Sequence, residues 1–128
     1  MLGAAAAQIG TAYLLCPEAK TGAVHRAALK TARDDRTALT NLFTGRPARG
    51  LINRFMQEQG PIDAAAPEFP LATSAVSPIR AKAEAQGSGD FSPLWAGQAA
   101  SLAREMPAGE LTRKLAREAQ ERLRAMGR

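Results

Sequence analysis

Aromatic side chains make up only 5% of this 128-residue chain, and much of its 45% apolar content is alanine. Alanine buries little area, so the core is expected to be thin for the length, with part of the apolar surface facing a partner. Cys16 is the single cysteine. It excludes an internal disulfide and makes the cytosol the default compartment. His25 is the single histidine, and with Cys16 distant from it the metal-ligand pattern is missing. No apolar run approaches membrane-spanning length. Residues 1–16 are apolar, but no Lys or Arg precedes them and Gln8 interrupts them. Leu15 also stands before Cys16, where a lipoprotein cleavage site needs a small residue. These features predict a soluble, cytoplasmic chain without a membrane partner, long enough for one domain and too short for two.

The net charge is +5, and the excess leans toward the end, where residues 104–128 hold seven basic and four acidic residues. A basic tail raises the question of nucleic acid. The interleaved acids answer it: Glu110 before Lys114 and Glu118 before Arg122 are at the spacing that supports a solvent-facing helix. No nucleic-acid partner is predicted. A small basic helical binding module remains as the alternative from a different functional class.

The chain reads as one or two strands and about five helices. Leu2-Gly3-Ala4 resembles a helix end with Gly3 as its left-handed cap. Residues 6–15 pass from small to β-forming side chains and stop at Pro17, which predicts a buried strand ending around residues 8–11. A helix over 23–33 is expected with Thr21 as its cap. A strand is expected over 37–43, then a turn at Gly45-Arg46-Pro47, a helix over 51–57 and a loop over 60–70 with three prolines. Helices are expected over 71–86, ending at Gly87-Ser88-Gly89, and over 93–105. A last helix follows Pro107, with Leu111, Leu115, Ala119, Leu123 and Met126 in one stripe. One strand cannot make a sheet, so this reading has residues 6–15 seeking neighbours outside the sequence, with exposed edges as an aggregation liability.

The stretch with chemistry in it is Gln8-Ile9-Gly10-Thr11. A glycine at a strand's C-terminal end lets the backbone approach a ligand without a Cβ in the way. The amides of Gly10 and Thr11 and the Thr11 hydroxyl are then donors for phosphate oxygens. In (β/α)8 barrels, phosphate sites gather in the loops after the last two strands. A Gly-Thr pair alone is a weak signal, since many core strands contain one.

The longer pattern is more specific. Gly3, Gln8-Ile9-Gly10-Thr11-Ala12-Tyr13-Leu14, Cys16-Pro17-Glu18-Ala19 and Val24-His25-Arg26-Ala27-Ala28-Leu29 together resemble bacterial nitronate monooxygenases, also called 2-nitropropane dioxygenases. So do Phe43-Thr44-Gly45-Arg46-Pro47-Ala48-Arg49-Gly50 and Leu94-Trp95-Ala96-Gly97-Gln98. The blocks run in order from Gly3 to about Arg117. The resemblance implies an α/β fold in which residues 1–128 are the mostly helical C-terminal portion of an FMN-binding TIM (β/α)8 barrel. It implies an FMN-dependent oxidoreductase that converts alkyl nitronates and O2 to a carbonyl compound and nitrite. By carry-over, Gln8, Ile9, Gly10 and Thr11 contact FMN. Ala6 departs from the glycine common in relatives. The family's catalytic histidine falls upstream of Gly3, so no catalytic residue is assigned in this chain and the chain alone is expected to be inactive. A flavin-dependent enoyl-thioester reductase barrel is the nearest enzymatic alternative.

The remaining candidates read as structural. His25 matches the helix after the last strand and is expected to pack there. Gly45 and Gly50 have the glycine spacing of a nucleotide phosphate loop, but Leu51-Ile52 follow where Lys and Ser or Thr are needed. Arg46 and Arg49 either face an anionic ligand or brace a turn, and the turn is the favoured reading. Trp95 and Gln98 are candidates to approach the flavin, but at helical spacing with Leu94 and Leu102 they are read as packing residues.

Overall fold

The computed structural model describes residues 4–127. Its α-helices are α1 (Ala23–Lys30), α2 (Arg54–Gln59), α3 (Leu71–Ala85) and α4 (Ala108–Ala125). Strands β1 (Thr37–Thr40) and β2 (Ala48–Leu51) form an antiparallel pair in which Thr37 faces Leu51 and Thr40 faces Ala48. Short 3₁₀ turns cover Thr11–Leu15, Asp34–Arg36 and Gln98–Leu102.

The hairpin organises the middle of the chain. Its loop is fixed by Thr40, whose buried hydroxyl accepts the Leu42 N–H at 3.2 Å. Gly45 has φ 84°, and a Cβ there would collide with the backbone of residues 67–69. Only glycine fits that turn. The free edge of β2 takes up residues 94–96: Leu51 N–H donates to the Leu94 carbonyl at 2.8 Å, and Ala96 N–H to the Arg49 carbonyl at 3.1 Å. Gly50 forms a bridge with Trp95.

Asn53 then starts α2. Its side-chain oxygen accepts the Met56 N–H at 3.2 Å, and its amide nitrogen donates to the carbonyls of Gly89 and Ser92. One buried side chain thus caps a helix and ties it to the loop that follows α3. Helix α3 closes at Gly87, φ 76°, with the Ser88 N–H returning to the Ala83 carbonyl.

The core is divided, as the low aromatic content implied. One cluster joins Leu15, Leu29, Leu51, Leu94, Ala96 and Ala100. The other joins Leu42, Phe43 and Met56, with Phe55 and Trp95 half-buried against it. Phe43 meets the rings of Phe55 and Trp95 edge-on, with centroids 5.6 and 5.8 Å apart.

Several expectations are corrected. Residues 6–15 are not a buried strand. Residues 4–10 are exposed and in no ladder, and Thr11–Leu15 tightens into a 3₁₀ turn that buries only Leu15 and the adjoining Cys16. Among the described residues nothing supplies the partner strand that β-propensity alone presupposes. The expected cap at Gly3 lies outside the described residues. Helix α1 begins from Gly22 rather than Thr21, without a side-chain cap.

The expected helix over 93–105 is displaced by pairing of 94–96 with β2 and survives only as the turn Gln98–Leu102. A free β2 edge offers residues 94–96 backbone partners that a helix would forgo. The helix expected from 51 starts three residues later, because Leu51 completes β2.

Helix α4 begins after Pro107 as expected. Its stripe is buried only at the start: Leu111 is buried, Leu115 half-buried, and Ala119, Leu123 and Met126 are exposed. Its ion pairs are Lys114–Glu118 and Arg117–Glu121, each 3.9 Å, in place of the two expected. The pairs formed run base before acid, the weaker orientation on a helix.

Candidate functional site

The turn Thr11–Leu15 is held from three sides. The forked guanidinium of Arg26 on α1 donates to the carbonyls of Leu15 (2.7 Å), Cys16 (3.1 Å) and Ala19 (3.2 Å), and lies 3.6 Å from the Glu105 carboxylate. Only arginine spans several acceptors in one plane. Tyr13 Oη is 2.8 Å from Thr112 Oγ1 on α4. Both carboxylate oxygens of Glu18 accept the Ala108 N–H, at 3.0 and 3.1 Å. A negative charge there also complements the positive end of α4. On the other side, Thr11 Oγ1 accepts the Gly97 N–H at 2.8 Å.

These ties open a cleft of about 350 Å³ between the turn and the Gln98–Leu102 segment. Gln8, Ile9, Gly10 and Thr11, the four residues expected at the site, line it together, and Gln98, Leu102 and Leu115 form the facing wall. The first three are exposed and Thr11 is half-buried. The N–H groups of Gly10 and Thr11 have no acceptor among the described residues. Gly10 has φ −110°, which any residue adopts, and a Cβ there would meet no atom of the described residues within 4 Å. Among the described residues, nothing in the packing requires glycine at that position.

A second cleft of about 340 Å³ shares Gly10, Thr11 and Gly97 with the first and adds Arg49 and Trp95. Arg49 and Gln98, read from sequence as turn and packing residues, therefore stand at the site. The signal was present in the Gly45–Gly50 and Leu94–Gln98 blocks, but the hairpin that brings them beside residue 10 was not legible. Arg46 does brace its loop, with its guanidinium 4.2 Å from the centre of the Phe69 ring.

His25 lies elsewhere. Its Nε2 is 3.0 Å from the Trp95 carbonyl, and it lines a separate cavity with Arg80, Glu84 and Ser92. Burial pushes its pKa below the ordinary histidine value, the nearby Arg80 charge adds to this, and the Trp95 carbonyl opposes it. The shift favours the neutral ring, and a carbonyl partner requires the tautomer in which Nε2–H donates. Glu84 accepts from Arg80 at 2.8 Å and Ser92 at 2.7 Å, and these bonds hold its pKa below the ordinary value. The Cys16 thiol is buried and its pKa is raised, chiefly by that burial.

Comparison with known proteins bears on this arrangement. The family profile described as nitronate monooxygenase matches residues 1–118. The chain is 48% identical over 118 residues to a nitronate monooxygenase of Pseudomonas aeruginosa, covering 91% of this chain and 34% of that protein. It is 41% identical over 120 residues to a nitronate monooxygenase of Paraburkholderia phytofirmans, covering 91% of this chain and 32% of that protein. The crystal structure of a nitroalkane oxidase from Streptomyces ansochromogenes superposes with a TM-score of 0.83 at 44% identity, over 94% of this chain and 34% of that one. The chain thus spans about a third of the length of the relatives it matches. A family match over nearly the whole chain, in which the Gln8–Thr11 block and its facing wall both fall, leads to one conclusion: the chain belongs to the nitronate monooxygenase family.

Proposed function

We propose that residues 1–128 form the C-terminal part of an FMN-binding (β/α)8-barrel domain and supply the end of the site that receives the flavin phosphate. The complete enzyme is then a cytoplasmic oxidoreductase that takes alkyl nitronates and O2 to a carbonyl compound and nitrite. FMN, when bound, supplies the redox chemistry of that reaction. This chain's residues supply binding. The unpartnered N–H groups of Gly10 and Thr11 donate to phosphate oxygens, and the Thr11 hydroxyl, whose oxygen already accepts from Gly97, has its proton free to donate.

The observation that carries this reading is Gly10: a glycine that neither φ nor neighbouring atoms among the described residues demand, in the lining of a cleft that all four expected residues share. Close backbone approach of a ligand accounts for it. Among the described residues, the cleft wall holds no Asp, Glu, His, Lys, Cys or Tyr. A group able to take a proton from a nitroalkane near neutral pH is therefore absent from it, and His25 faces a different cavity. The chain by itself should bind flavin weakly and leave neutral nitroalkanes unreacted.

The test is a chimera in which residues 1–118 replace the matching third of the Pseudomonas aeruginosa relative. The chimera should purify with bound FMN and oxidise nitronates, and a Gly10→Val version should lose the flavin while keeping its far-UV spectrum. A Gly10→Val chimera that retains stoichiometric FMN would overturn the assignment.

A further inference from the structure

Half-buried cations are costly unless something of opposite charge meets them. Among the described residues, the half-buried Lys and Arg side chains are Arg26, Arg49, Arg80 and Lys114. Arg26 is paired with Glu105, Arg80 with Glu84 and Lys114 with Glu118. Arg49 has no carboxylate partner among the described residues. Its hydrogen bonds run from Nη1 alone, to the Thr37 hydroxyl at 3.2 Å and the Thr37 carbonyl at 3.4 Å. The N–H groups on Nε and Nη2, the edge suited to gripping two oxygens of one anion, have no acceptor among the described residues. Arg49 is among the residues that line the cleft shared with Gly10, Thr11 and Trp95.

From this we infer that Arg49 is an anion-binding residue, and that the anion is a phosphate monoester whose oxygens lie between the Arg49 fork and the Thr11 hydroxyl. The inference rests on the proposed phosphate end at Gly10 and Thr11 and adds a charged side chain to it, carried by β2 rather than by the turn. Backbone amides and hydroxyls position a phosphate, and a guanidinium supplies the counter-charge they lack. Arg49 is held for the task by its bond to Thr37, its neighbour across the hairpin in the pairing that sets Leu39 opposite Arg49 and Thr37 opposite Leu51.

The experiment is a titration of the ¹⁵N-labelled 128-residue chain with inorganic phosphate, and separately with FMN, at constant ionic strength. The readouts are the Arg49 Nε–H and the Gly10 and Thr11 amides. Both ligands should shift all three resonances saturably. Arg49→Gln should weaken each by about tenfold, and Arg49→Lys, which keeps the charge without the fork, should fall between. Inorganic phosphate shifting the resonances while FMN does not would assign the subsite to the free ion and overturn the monoester. Equal affinity in wild-type and Arg49→Gln chains, with the Gly10 and Thr11 amides still responding, would remove Arg49 and leave the proposed phosphate end standing. No response from any of the three in the wild-type chain at millimolar ligand, where the weak binding expected of the chain alone is still detected, would remove both. Retained amide dispersion in Arg49→Gln separates these results from loss of fold.

Discussion

Thr11 and Gly97 are joined across 86 positions of sequence by one hydrogen bond, in which the Gly97 N–H donates to the Thr11 hydroxyl oxygen at 2.8 Å. It fixes the turn bearing the expected ligand contacts against the segment that walls the cleft. Thr11→Val keeps the shape and removes the acceptor. It should cost about 1 kcal/mol and allow faster exchange of the Gly97 amide, whereas Thr11→Ser should preserve both. Urea denaturation and hydrogen exchange measure the two effects, and a protected Gly97 amide in Thr11→Val would contradict the geometry.

Arg26 fastens the other end of the same turn through three carbonyls. An ammonium group cannot reproduce that planar reach, so Arg26→Lys should destabilise by about 2 kcal/mol, close to the effect of Arg26→Ala. Glu105→Gln, which removes only the ion pairs with Arg26 and Lys30, should be the milder change. Chemical denaturation of the three variants checks the order.

The lowered pKa of His25 gives a signed pH dependence. Below the ordinary histidine value of 6.5 the unfolded chain takes up a proton that the folded chain, with the ring buried, resists until its own lower pKa is reached. Stability is therefore fully present above that value and is lost as pH falls from it toward the folded pKa. His25→Gln keeps a donor for the Trp95 carbonyl and removes the titration. Its stability should be flatter than the wild type's between about pH 7 and 5.5, measured by urea midpoints across that range.

Burial along α4 separates two leucines on one stripe. Leu111 is 5% exposed and Leu123 is 42% exposed. Leu111→Ala should cost about 2–4 kcal/mol, and Leu123→Ala under about 0.5 kcal/mol. Equal costs in a denaturation series would mean that the far half of α4 is covered in solution.

The sequence was most legible where local chemistry decides the outcome. Proline at 107 and the periodic leucines marked the start of α4, Gly87 marked the end of α3, and Gly45 marked a turn that tolerates no other residue. It was least legible where a distant backbone decides. Residues 94–96 have helical spacing but pair with the β2 edge, and residues 6–10 have strand-like composition but no ladder to enter. The same limit applied at the site. Gln8, Ile9, Gly10 and Thr11 could be picked out because they are contiguous. For Arg49 and Gln98 the sequence left a ligand reading open but favoured turn and packing, because the hairpin and its third segment that bring them beside residues 10 and 11 are set by distant backbone pairing.

Whether the backbone at Gly10 and Thr11 reads phosphate decides the proposed function. The direct measurement compares FMN with riboflavin, which shares the ring system and lacks the phosphate, by following those two amide resonances in the labelled chain. FMN should move both downfield and saturate, while riboflavin at the same concentration leaves them in place. Equal shifts with the two flavins, or none with either, would contradict it.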